Sequence, residues 1–107
     1  MAKVTEESIK EFVEYMNECG TRLEEGKIAV NIAALCRLVR ENRETAGQVI
    51  ELFCMMADTN PAYFQGALSI ASAYQSEFND PSLVRMVEDQ ARAAGVEGWL
   101  EGVCIRE

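Results

Sequence analysis

Apolar residues recur at helical spacing near the start of the chain. At about 100° per residue, one stripe of residues 6–19 is apolar, and its members are Ile9, Phe12, Val13, Met16 and Cys19. Thr5 precedes the stripe and can cap the helix, with Glu6 and Glu7 in the first turn, where acids complement the helix dipole. The pattern predicts a first amphipathic helix.

A second apolar segment, IAVNIAALCRLV at residues 28–39, follows a capping-box pattern TRLE at 21–24. It is apolar on nearly every side, which predicts a central helix surrounded by the others. Asn31 falls among its apolar residues. A buried amide needs hydrogen-bond partners, so we expect Asn31 to fix a helix register or to satisfy a loop.

Three further helices are predicted at 45–58, 61–78 and 81–94. The first opens with the capping-box pattern TAGQ at 45–48, and the others with Asn60-Pro61 and Asp80-Pro81. Gly95 closes the last of them. A final short segment places four residues on one side: Trp99, Leu100, Val103 and Cys104.

No alternation of apolar and polar residues with turn signals predicts a sheet. The expected fold is therefore all-α, a compact bundle of five or six short helices, with residues 1–107 as a single domain. An apolar share of 49% and a charged share of 26% fit a globular chain. The longest uncharged stretch, 59–76, is too polar for a membrane helix, and the N-terminus has no apolar run typical of a secretory signal. We expect a cytoplasmic protein that does not bind membranes.

Charge and chemistry narrow the function. The net charge is −8, so direct binding of nucleic acid is unfavourable and a partner with a basic surface is a better match. Histidine is absent, and the four cysteines, at 19, 36, 54 and 104, form no close pair. No phosphate-binding glycine motif occurs. We expect no catalytic residues, no metal and no cofactor, with Cys36 and Cys54 as structural thiols.

Two surfaces are candidates for binding a partner, and the first is an acidic row. Glu7, Glu11, Glu14 and Glu18 lie on one side of the first helix, about 5–6 Å apart, close to the spacing of phosphates in a nucleic acid strand. The row is either a mimic that occupies a nucleic-acid-binding groove or a solvated face that keeps the chain soluble.

The second candidate is a face of the helix at 61–78 that is small and uncharged. It includes Gln65, Gly66, Ser69 and Ala73, and it can pack against another helix of the same chain or of a partner. Met55, on the helix at 45–58, is the fifth residue of this candidate. The pattern places Met56 in the core of that helix's buried side and Cys54 at its edge, whereas Met55 falls on the polar side. Either a neighbouring helix covers Met55, or it belongs to an exposed contact surface. The three sulfurs diverge too far to bind one metal ion.

Arginines at 37, 40 and 43 lie three apart near the end of the second helix. Arginine makes forked contacts with carboxylates and phosphates. Pairing with Glu41, Glu44 or the acidic first helix is one expectation, and anion recognition is the other.

A small, acidic, helical chain without a catalytic motif resembles phage-encoded inhibitors such as anti-CRISPR proteins, in overall profile alone. That resemblance implies a non-enzymatic inhibitor or regulator that binds the basic, nucleic-acid-handling surface of another protein. Two alternatives stay open: a ligand-binding helical bundle with a pocket near Trp99, Tyr63 and Tyr74, and a structural subunit that forms homodimers or larger homo-oligomers.

Overall fold

Helices dominate the computed structural model, which describes residues 5–18, 22–24, 27–96, 98, 100 and 103–106. The described region contains five α-helices: α1 Glu6–Glu18, α2 Ile32–Glu41, α3 Arg43–Met56, α4 Ala62–Phe78 and α5 Ser82–Ala93. The predicted bundle of five or six helices is confirmed. The assignment of residues 1–107 to a single domain stays a prediction.

The helix boundaries follow the capping signals at three places. The Ser8 N–H donates to Thr5 Oγ1 at 3.2 Å at the start of α1, and the Ser82 N–H donates to Asp80 Oδ1 at 3.0 Å at the start of α5. Gly95 follows α5 with a φ of 73°, a left-handed conformation that favours glycine. Local side-chain caps and, at Gly95, local backbone conformation therefore set these ends.

The start of α3 differs from its prediction. The helix begins at Arg43, ahead of Thr45, and Thr45 is buried instead of capping. Asn42 makes the turn between α2 and α3, where its side-chain amide donates to the Leu38 carbonyl oxygen at 2.9 Å. Because Asn42 satisfies a carbonyl at the end of α2, the chain turns before the TAGQ pattern is reached.

A three-stranded sheet that the sequence pattern does not predict lies beside the helices. Its strands are β1 Arg22–Glu24, β2 Lys27–Asn31 and β3 Val103–Arg106, with β2 antiparallel to β1 and parallel to β3. The helix predicted to begin at residue 28 therefore begins at Ile32, and Asn31 ends a strand. The strands are too short to show a clear alternation, and the β2–β3 pairing joins segments distant in sequence.

The most enclosed helix is α4, and the prediction that residues 28–39 form the central helix is wrong. Helices α2, α3 and α5 all contact α4. Seven of its residues are 3% exposed or less: Phe64, Gln65, Ala67, Ser69, Ile70, Ala71 and Ala73. No charged residue occurs between Asp58 and Glu77. Apart from Glu77 in its last turn, α4 has no charged residue on any side, so nearly all of its length can be buried without desolvating a charge, which is why α4 takes the centre.

Candidate interaction surfaces

The outer side of α1 carries the acidic row. Glu7, Glu11 and Glu14 are exposed in the structure. Glu18 is the last residue of α1, and its side chain lies outside the described residues. The row therefore presents at least three carboxylates to solvent.

The opposite side of α1 fixes the orientation of the row. Phe12 is 2% exposed in the core, and Ile9 and Val13 pack against that core. The helix contacts α2 and α3. With its apolar stripe held inward on two neighbours, α1 turns the glutamates outward.

The small uncharged face of α4 lies inside the molecule. Gln65 and Ala73 are 0% exposed, Ser69 is 2% exposed, and Gly66 is buried. Packing within the chain accounts for this face, so these four residues are not accessible to a partner in this structure. The Ser69 hydroxyl donates to the Gln65 carbonyl oxygen at 2.8 Å, which lets a polar side chain be buried within a helix.

Gly66 shows how closely α3 approaches this face. A Cβ atom added to Gly66 would lie 3.1 Å from Cε2 and 3.2 Å from Cδ2 of Phe53. The Phe53 ring also packs against Tyr63, with ring centroids 5.6 Å apart. The absence of a side chain at Gly66 therefore makes room for an aromatic ring of α3.

Met55 behaves differently from the residues grouped with it, because its side chain is 72% exposed. No neighbouring helix of the described region covers it, which leaves the exposed alternative. Met56, predicted to be core, is 37% exposed. The buried side of α3 instead includes Ile50 and Cys54, which are 0% and 4% exposed.

The buried side of α3 differs from the predicted one because of the helices that pack against it. The helix contacts α1, α4 and α5, so its buried side is broad and centres on Phe53. Ile50 and Cys54 are therefore buried, while Leu52 is half-buried and Met56 is exposed. A hydrophobic pattern alone does not show which flank of a helix its neighbours will cover.

Two of the three arginines, Arg40 and Arg43, contact α4, and Arg37 is exposed. Arg40 and Glu77 form a forked ion pair, with Nε–Oε2 and Nη2–Oε1 distances of 2.8 and 3.2 Å. Arg43 Nε donates to the Tyr74 hydroxyl at 2.9 Å, and its guanidinium lies 4.4 Å from the ring centroid of Phe78. The expected partners Glu41 and Glu44 are thus replaced by groups on α4.

The two described thiols, Cys36 and Cys54, are free. Burial, followed by the nearby Glu51 carboxylate, raises the pKa of Cys54 to about 11. Burial and the charge of Glu77 also raise the pKa of Cys36. Both therefore stay protonated at neutral pH, where a nucleophile or a metal ligand would have to be a thiolate. Cys19 and the side chain of Cys104 lie outside the described residues.

The tyrosines proposed to line a ligand pocket are both used in packing. Tyr63 is half-buried against Phe53, and Tyr74 is 8% exposed beside Phe78 and Arg43. Trp99 lies outside the described residues. The ligand-binding alternative remains a hypothesis.

Within the described ranges, no group of three or more histidine, cysteine, aspartate or glutamate side chains could hold a metal ion. None of the described helices combines the length and apolarity needed to cross a membrane. Comparisons with protein-family models, with curated proteins and with solved structures found no match to the chain.

Proposed function

We propose that the protein is a non-enzymatic, cytoplasmic inhibitor or regulator that binds a basic surface of another protein. The acidic row, defined as Glu7, Glu11, Glu14 and Glu18, is its principal contact. A partner that handles nucleic acid fits best, because its phosphate-binding surface is basic. The resemblance in profile to phage-encoded inhibitors such as anti-CRISPR proteins points in the same direction.

One observation carries the proposal. Phe12 anchors α1 in the core while Glu7, Glu11 and Glu14 stay exposed on the opposite side. Aligned like charges repel one another by a few tenths of a kcal/mol per pair. Lys10 lies three and four residues from Glu7 and Glu14 and offsets part of this repulsion, and a basic surface would neutralise the rest.

The described ion pairs leave the row available. They join Arg40 to Glu77 and Arg92 to Asp89, and neither uses a glutamate of the row. A basic partner would therefore meet Glu7, Glu11 and Glu14 without breaking any of the ion pairs of the described residues. Charge complementarity of this kind mainly speeds association and selects the partner.

The non-enzymatic part of the proposal is supported by the absence of histidine from the sequence and by the two described thiols. Their raised pKa values make Cys36 and Cys54 poor nucleophiles at neutral pH.

The test uses three baits in parallel. The first is the unmodified chain, and the second is the row variant E7Q/E11Q/E14Q/E18Q. The third is a charge-matched control with four other exposed acids changed, E6Q/E41Q/E88Q/D89N. Both variants move the formal net charge from −8 to −4, so they differ in the position of the lost charges. Proteins retained from a lysate are identified by mass spectrometry, and their affinities are measured from 0.1 to 1 M salt.

A basic partner should be retained by the unmodified and control baits and lost from the row variant. Its Kd should rise at least tenfold in that variant, about 1.4 kcal/mol, and should rise with salt as the Debye length falls from about 10 to about 3 Å. Equal retention on all three baits would contradict the role of the row. Recovery of the chain itself alone would favour the homo-oligomeric alternative.

A further inference from the structure

An apolar patch lies at the C-terminal end of α3, formed by Leu52, Met55 and Met56. The methionines are 72% and 37% exposed, and Leu52 is half-buried. Their spacing, i, i+3 and i+4, places the three side chains next to one another on the helix surface. These three side chains lie at or beyond the edge of the core because the neighbouring helices cover the other flank of α3.

The surroundings of this patch are acidic. Glu51 is exposed on the same side of α3 as Met55, one turn away, and Asp58 is exposed just beyond the helix end. No lysine or arginine occurs anywhere in residues 44–84. An apolar centre with acids along its margin is complementary to a surface that has the same layout with lysine or arginine at the margin.

Methionine suits such a contact. Its unbranched, polarizable side chain adapts to partners of different shape and is common at surfaces that bind amphipathic helices. An amphipathic helix presents apolar anchors at the same i, i+3 and i+4 spacing. Two helices with matched apolar stripes and opposite marginal charges can pack side by side.

We propose that the Leu52–Met55–Met56 patch is a docking site for a basic amphipathic helix of a partner protein. The carboxylates of Glu51 and Asp58 would pair with lysines or arginines that flank the apolar stripe of that helix. The site lies on α3 and does not require the acidic row of α1, so each can fail without the other.

The test uses a defined probe, a synthetic helical peptide of leucine and lysine with one apolar side. A scrambled peptide of the same composition, with no helical period, is the charge-matched control. The chain carries 13C-labelled methionine methyl groups, and the signals of Met55 and Met56 are assigned from single M55Q and M56Q variants. The half-buried Met86, which packs against the core, provides an internal reference. Binding is measured at about 0.15 M salt.

The methyl signals of Met55 and Met56 should shift on addition of the amphipathic peptide, while that of Met86 stays in place. The double variant M55Q/M56Q should bind this peptide at least tenfold more weakly. The row variant E7Q/E11Q/E14Q/E18Q should retain the methyl shifts, which separates this site from the row.

Three results would overturn the proposal. The scrambled peptide binding as tightly as the amphipathic one would reduce the contact to charge alone. Unchanged affinity in M55Q/M56Q would place the contact elsewhere. Concentration-dependent dimers in sedimentation that disappear in M55Q/M56Q would show that the patch is covered by a second copy of the chain.

Discussion

Helices α1 and α4 both combine apolar and polar residues, yet they end in opposite environments. Helix α1 buries one stripe around Phe12 and exposes Glu7, Glu11 and Glu14. Helix α4 buries residues on both of its faces, including the polar Gln65 and Ser69. Both helices contain polar residues. The exposed glutamates of α1 are charged, whereas the buried polar residues of α4 are uncharged.

Charge is the better guide to the outside of this molecule. A serine hydroxyl can donate to a carbonyl of its own helix and enter the core, as Ser69 does. A carboxylate cannot enter without a partner, because its desolvation costs several kcal/mol. The small face of α4 is therefore a packing surface inside the molecule, whereas Glu7, Glu11 and Glu14 of α1 are exposed.

The largest expected effect comes from placing a charge on the small face of α4. Ala73→Glu should destabilise the fold by about 3–5 kcal/mol or prevent folding, because the new carboxylate would be buried without a partner. Gln75→Glu, at an exposed position of the same helix, should change the free energy of unfolding by less than about 0.5 kcal/mol. Urea unfolding followed by circular dichroism measures both. An Ala73→Glu variant as stable as Gln75→Glu would show that this face is open.

Sequence reasoning succeeds where a signal is local. Thr5, Asp80-Pro81 and Gly95 mark helix ends by their own side chains or backbone, and the structure follows all three. The one-sided stripe of α1 likewise predicts Phe12 as core and the row as exposed.

Prediction from the sequence fails where the structure of a segment depends on contacts with a distant segment. Strand β2 forms by pairing Ile28 with Val103 and its neighbours, and no local pattern announces that pairing. The exposure of Met56 depends on which flank of α3 its neighbours cover. The absence of charge in residues 59–76 is the sequence signal that marks the central helix. Residues 28–39 are more apolar, and for that reason they give the wrong prediction.

An intermediate effect is expected from two glycines that differ in their surroundings. Gly47→Ala on α3 meets nothing within 4 Å, so it should stabilise the fold by roughly 0.5–1 kcal/mol through helix propensity. Gly66→Ala makes the same change but brings a Cβ to 3.1 Å from the Phe53 ring, and overpacking costs about 1–3 kcal/mol.

Urea unfolding of the two variants should therefore place Gly66→Ala below Gly47→Ala by about 1–3 kcal/mol. The double variant Gly66→Ala/Phe53→Leu provides a check, because a smaller side chain at 53 should make the alanine less costly. Equal stabilisation by both alanines would mean that α3 and α4 are not in close contact at Gly66.

The smallest effect concerns the stability of the row variant E7Q/E11Q/E14Q/E18Q. Three adjacent like-charge pairs are removed, each relieving about 0.2–0.5 kcal/mol. Loss of Glu7 from the first turn removes a favourable interaction with the helix dipole of about 0.3–1 kcal/mol. The variant also loses the pairs that Glu7 and Glu14 make with Lys10 at i+3 and i+4 spacing, each about 0.2–0.5 kcal/mol. The net change should therefore stay within about 0.5 kcal/mol of zero at low salt and should shrink at 1 M salt, because screening weakens all of these interactions. The control Glu6→Gln, also in the first turn, should lose stability because it removes the dipole interaction without relieving the row.

A loss of more than about 1 kcal/mol in the row variant would show that these glutamates support the fold, and weaker partner binding by that variant would then no longer identify an interface. With stability preserved, a loss of binding would be attributable to the exposed carboxylates themselves.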